Sequence, residues 1–229
     1  MVDGIILAIL LIFTVAGYQR GLIRAVVTLG SSIVALALSF IVYPAVNAIL
    51  KVTALYTMIY TGVFEKVEKI DFGKGIQSQG KAITSNIKWL PEFLTDKIIS
   101  NNNTAMYEIL NVHSIQEYIS TYIANMIISM IAILITWFLI KIVLMWGLRT
   151  SAGIVEKLPV ISNFNHLGGA IIGIIKGLLT LSIIALIIPT IITMPNLSQI
   201  GTEIEGSFLA QQLYNHNLVI WLYNYIMGK

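Results

Sequence analysis

Apolar residues along this chain come in long unbroken runs, and those runs set its architecture. Gly4 to Tyr18 is apolar but about a turn short of the roughly 20 helical residues that cross a bilayer core. Leu22 to Tyr43 is long enough, with Arg24 near its start, and Pro44 is expected to end it, since helices commonly stop before a proline. Only Gln19 to Gly21 separates the two runs, which predicts a tight antiparallel hairpin. Ile123 to Trp146 is the clearest spanning helix, with Lys141 and Arg149 marking its exit, and Gly168 to Thr193 is the last span.

Between these runs the pattern changes. Residues 45–64 are mixed, and residues 65–121 carry charges of both signs. Within them Ile87, Trp89, Leu90, Phe93, Leu94, Ile98 and Ile99 fall near helical spacing, interrupted by Pro91. That spacing predicts an amphipathic helix lying on the membrane or on the helix bundle. Asn101 to Thr104 reads as a loop. Aromatics mixed with Asn and Gln over 203–227 predict a final interfacial helix. The fold class is therefore all-α, a polytopic membrane protein of about four transmembrane helices with additional amphipathic helices. The expected divisions are a hairpin at 1–44, an insert at 45–121, a second pair of spans at 122–195 and a C-terminal helix at 196–229.

Composition agrees. Only 11% of the 229 residues are charged, against about 25% in soluble domains, too few to cover a globular surface. The net charge of +3 is scattered rather than gathered into basic runs with aromatics, so nucleic acid is not expected as a partner. With no cysteine, disulfides, iron–sulfur clusters and thiol nucleophiles are excluded. A cleavable signal peptide is not expected, because Asp3 is the only early charge and Arg20 and Arg24 follow the first apolar run. His113, His166 and His216 lack metal-ligand spacing, and no nucleophile elbow or phosphate-binding loop occurs. The expectation is no metal, no cofactor and no enzymatic activity.

Two strings stand out. Gly17-Tyr18-Gln19-Arg20-Gly21-Leu22-Ile23 and Gly173-Ile174-Ile175-Lys176-Gly177-Leu178-Leu179 share glycines flanking a single base in apolar surroundings. A cation in hydrocarbon costs about 3 kcal/mol on the mildest scales. Lys176 has two readings: a charge facing a cavity or an anion, or a flexible stem snorkelling to the interface. Arg20 and Arg24 read first as determinants of topology, with room for a role toward lipid or another anion. Gly169, Gly173 and Gly177 line one helix face, suited to close packing against another span or another subunit. Gly17 and Gly21 offer the same on the first string. The likeness of the strings is open to two explanations, an internal duplication or chance in apolar sequence.

Asp3, an aliphatic run and Gly17-Tyr18-Gln19-Arg20-Gly21-Leu22-Ile23-Arg24 resemble the opening of CvpA family proteins, the colicin V production proteins. Leu158-Pro159 and Asn165 through Gly177 resemble that family's last transmembrane helix, with His166 where Arg is common and Gly168 where an aliphatic is common. The resemblance implies a multi-pass protein of the bacterial inner membrane, named for a requirement in producing and secreting a toxin. The lipid bilayer is the expected partner, with a second copy or another membrane protein beside it. The positive-inside rule puts Arg20, Arg24, Lys141, Arg149 and Lys157 in the cytoplasm and both termini outside. A small transporter or channel with an anion-facing Lys176 is the alternative function.

Overall fold

The structure, a computed structural model, describes residues 1–90, 92–150 and 162–227, without the side chains of 92, 93, 148–150, 162, 163, 195, 198 and 223–227. Every regular element among the described residues is helical: α1 (Val2–Lys51), α2 (Ala54–Val67), α3 (Ile76–Asn86), α4 (Glu92–Ser100), α5 (Thr104–Leu110), α6 (Ile115–Thr150), α7 (Ser162–Ile184), α8 (Ile188–Thr193), α9 (Ser198–Glu205), α10 (Phe208–Asn215) and α11 (Leu218–Met227). Three stretches are long and apolar enough to cross a membrane: Val2–Lys51, Ile115–Gly147 and Phe164–Thr193. The first is not one rod. Gly21 takes φ 75° and ψ 168°, outside helical space, and divides α1 into residues 2–20 and 22–51. The three stretches therefore hold four apolar segments, an all-α polytopic membrane protein.

The chain forms two compact units. The first comprises Met1–Val46, Ala132–Ala185 and Ser207–Lys229. Many of its outward residues are large and apolar: Ile12 is 65% exposed, Ile41 74%, Val143 66% and Ile171 60%. Water would make such a surface costly, whereas lipid tails solvate it. Phe13 and Thr28 line one recess in this unit. Fifteen residues of straight helix would hold them roughly 22 Å apart, so the chain folds back on itself at Gly21. α10 and α11 pack on α7.

The second unit comprises Asn47–Ile131 and Leu186–Gly206 and has its own core. Ile59, Val63, Ile83, Ile87, Leu94, Ile98, Ile119 and Ile123 are all at most 3% exposed. The apolar stripe around Ile87–Ile99 thus spends its face inside a helical core rather than on a membrane surface. Tyr118, wholly buried, donates its hydroxyl to the Ile98 carbonyl at 2.7 Å and stacks on Tyr107 with ring centroids 5.1 Å apart. Asn103 caps α5 by accepting from the Met106 amide at 3.0 Å, which fixes the expected turn at 101–104.

Several element boundaries differ from the sequence expectations, each for a local reason. Pro44 lies inside α1, which continues to Lys51. The interfacial helix expected at the C-terminus is three short helices. Ser207 caps α10 by accepting from the Ala210 amide at 3.1 Å, and Asn217 caps α11 by accepting from Val219 at 3.0 Å, so the chain restarts twice. The last apolar stretch tightens into a 3-10 turn at Ala185–Ile187, four residues ahead of Pro189, whose ring crowds the carbonyl of the preceding turn. Pro91, Glu156, Lys157, Leu158 and Pro159 lie outside the described residues.

Replacing Tyr118 by Phe should cost about 1 kcal/mol by stranding the Ile98 carbonyl, and Ile98→Ala about 2–5 kcal/mol by opening a cavity. Amide hydrogen exchange along α4 is the readout, and it should speed up in both variants, more in the second.

Candidate functional site

The site is built where the two glycine-flanked strings meet. Residues 2–20 run antiparallel to α7, and five glycines share the seam. A Cβ on Gly17 would strike the Gly169 carbonyl oxygen and come within 2.9 Å of Gly173 Cα. One on Gly169 would strike the Gly17 carbonyl oxygen and reach 2.9 Å from Gly21 Cα; one on Gly173 would strike the Phe13 carbonyl oxygen. Gly177 is looser, with Leu10 Cδ2 and Phe13 Cβ each at 3.1 Å. These are backbone-to-backbone contacts, which only glycine permits. The Gly169/Gly173/Gly177 face, open in sequence to another span or another subunit, is filled here by the chain's own first segment.

Gly21 is held from both sides. Its positive φ suits glycine alone, and a side chain there would collide with Asn165. The break leaves backbone groups without helical partners. Asn165 Oδ1 accepts from the Leu22 amide at 2.8 Å. His166 Nδ1 lies 2.7 Å from the Tyr18 carbonyl oxygen; a carbonyl only accepts, so Nδ1 carries the proton. The His166 and Tyr18 rings are 5.2 Å apart. The start of α7 therefore acts as the cap of a turn 140 residues away in sequence.

Along this seam lies a recess of about 10 Å³, room for one water, lined by Phe13, Gly17, Arg20, Ala25, Thr28, Gly173 and Lys176 among others. Lys176 is half-buried, with its ammonium 5.7 Å from the Phe13 ring centroid, a cation–π contact. Arg20 and Arg24 are exposed. Arg20 joins Lys176 at the recess; Arg24 does not line it.

A third base belongs with them, and sequence reasoning placed it wrongly. Lys141 does not mark the exit of α6, which runs nine residues further. It turns inward, and its ammonium donates to the Thr28 carbonyl at 3.2 Å, Ser31 Oγ at 2.7 Å and Ser32 Oγ. Ser31 and Ser32 in turn donate to the same Thr28 carbonyl at 2.9 and 3.1 Å. One turn earlier on α6, Trp137 Nε1 donates to the Ser32 carbonyl at 3.3 Å. The signal was present in the sequence: a serine pair in an apolar segment, and a lysine well before its helix ends.

Like charges repel between Lys141 and Lys176, and between Lys176 and Arg20. The residue ranges of this unit contain seven of the fourteen bases but two of the eleven acids, Asp3 and Glu156. Asp3 is committed elsewhere, its Oδ1 accepting from the Ser207 hydroxyl and the Leu209 amide, both at 2.8 Å. Glu156 lies outside the described residues.

Among the described residues no cluster of three potential metal ligands occurs. Residues 108–217 match the family described as Colicin V production protein. The match takes in Lys141, the α7 glycines and Lys176, and leaves out the Gly17–Gly21 string against which Gly169 and Gly173 pack. No curated protein and no solved structure matches the chain.

Gly173→Leu should force residues 2–20 off α7 and abolish a folded monomer in detergent. Asn165→Ala should cost about 1–2 kcal/mol by leaving the Leu22 amide unpaired. Thermal unfolding in micelles, followed by size-exclusion chromatography, measures both.

Proposed function

We propose that this chain, whose residues 108–217 match the family described as Colicin V production protein, is a non-enzymatic protein of the bacterial inner membrane that assists the export of a toxin or peptide, or envelope homeostasis, as a helical scaffold. The observation that supports this best is the glycine seam. Backbones in contact along three turns make a rigid unit, because in lipid such packing replaces the hydrophobic force that holds soluble helices together. The recess beside Lys176 has room for one water, far short of a path for a solute, which weighs toward a scaffold and against a conduit.

In this reading Arg20 and Arg24 face the cytoplasmic side and both ends of the chain lie outside, following the excess of bases in short cytoplasmic connections. A second reading keeps the chain in the membrane but makes it a small transporter or channel. The convergence of Arg20, Lys141 and Lys176 favours it, since intramembrane bases commonly line ion or substrate paths.

The two readings part on paired variants tested in a host whose own copy is deleted, with secretion of a peptide toxin as the readout. A scaffold predicts that Gly173→Leu stops secretion and that Lys176→Met, correctly inserted, retains most of it. A conduit predicts that Lys176→Met stops secretion although the protein stays assembled.

A further inference from the structure

Three positive charges converge in the first unit, and they are not alike in what they have left to give. Lys141 has three N–H donors and three acceptors for them, Thr28, Ser31 and Ser32, so it is held in place and acts on its surroundings through its charge. Lys176 is the opposite case. Among the described residues its ammonium has no hydrogen-bond acceptor, only the face of Phe13. Arg20 is exposed beside it with no ion pair among the described residues, and both line the same recess.

Physics makes this arrangement one-sided. Neighbouring cations in a low-dielectric setting raise each other's energy, and each would be relieved by one shared anion. The unit's described acid, Asp3, is already bonded at Ser207 and Leu209. The recess is too small for a solute to enter, so the anion that fits sits at its mouth, reached by Arg20 from outside and by the Lys176 ammonium from within. A group with several oxygens on one centre can accept from a guanidinium fork and an ammonium together, as a phosphate does.

We propose that Arg20 and Lys176, backed by the fixed charge of Lys141, form a binding site for a phosphate group. This rests on the reading of the chain as membrane-embedded and deepens it by naming the ligand chemistry at those bases. A phosphate can come from a phospholipid headgroup, since basic pockets between spanning helices take such groups, or from free inorganic phosphate. Arg24 is outside the site: it is exposed and does not line the recess.

The test uses the full chain purified in detergent with an equimolar mixture of phosphatidylglycerol and phosphatidylcholine, and reads retained lipid by native mass spectrometry. The site predicts preferential retention of phosphatidylglycerol, reduced roughly fivefold by Lys176→Met and by Arg20→Gln, kept by Lys176→Arg and unaffected by Arg24→Gln. Because Arg20 is exposed, Arg20→Gln is the variant that decides if Lys176→Met fails to fold. Adding millimolar inorganic phosphate separates the sources: displacement of the lipid means that the site takes phosphate as such, and no displacement means that it takes phosphate only as part of a lipid headgroup. Equal retention of phosphatidylglycerol by the native chain and by folded Lys176→Met and Arg20→Gln would overturn the site. Failure of the chain to insert into membranes at all would instead count against the membrane reading on which it rests.

Discussion

Contact between two backbones, Gly17 against Gly169 and Gly173, is the constraint that the first unit depends on. In a bilayer, apolar side chains gain little by leaving lipid for one another, so helices associate where they can approach closely and where polar groups find partners. Residues 2–20 and α7 do both. Glycines remove the side chains that would keep the helices apart, and the approach brings Asn165 and His166 onto the turn at Gly21. Those two side chains take up the Leu22 amide and the Tyr18 carbonyl that the broken helix leaves behind. The turn lets residues 22–46 fold back beside the first segment, which in turn delivers Thr28, Ser31 and Ser32 to Lys141.

Seam and charge cluster are therefore one construction. Close packing brings Arg20, on the first segment, and Lys176, on α7, to one recess about the size of a water molecule. Had the interface used larger side chains, the bases would stand further apart and each could be solvated alone. Lys141 shows the alternative solution to a buried ammonium, a cage of two hydroxyls and a carbonyl. The second unit needs no such device. It holds seven bases and nine acids, close to balance, around a core of isoleucine, valine and a buried tyrosine.

Much of the membrane architecture is legible in the sequence, because run length and run composition are local properties. The hairpin at Gln19–Gly21 is readable for the same reason: no other connection is short enough to reverse between two apolar runs. The glycine spacing of α7 marks a packing face, but its partner is a matter of tertiary pairing, and nothing in a single sequence distinguishes another subunit from residues 2–20. Lys141 was misplaced because a base near the end of an apolar run usually is a boundary; its serine partners lie more than a hundred residues away. The stripe at Ile87–Ile99 is amphipathic either on a membrane or in a core, and periodicity alone does not say which. Caps decided the C-terminal region, where Ser207 and Asn217 each begin a new helix that hydropathy reads as continuous.

The central claim is that the α7 glycine face is filled from within the same chain. Cysteine-pair cross-linking tests it directly, and the chain contains no native cysteine to confuse the outcome. Leu10→Cys and Leu178→Cys place thiols at residues that line one cavity of the first unit. Oxidation in membranes should give an internal disulfide that leaves the protein at monomer mobility and persists when the labelled chain is diluted with unlabelled copies. Cross-links that appear only as dimers, and fade on dilution, would place another subunit on that face and contradict the account.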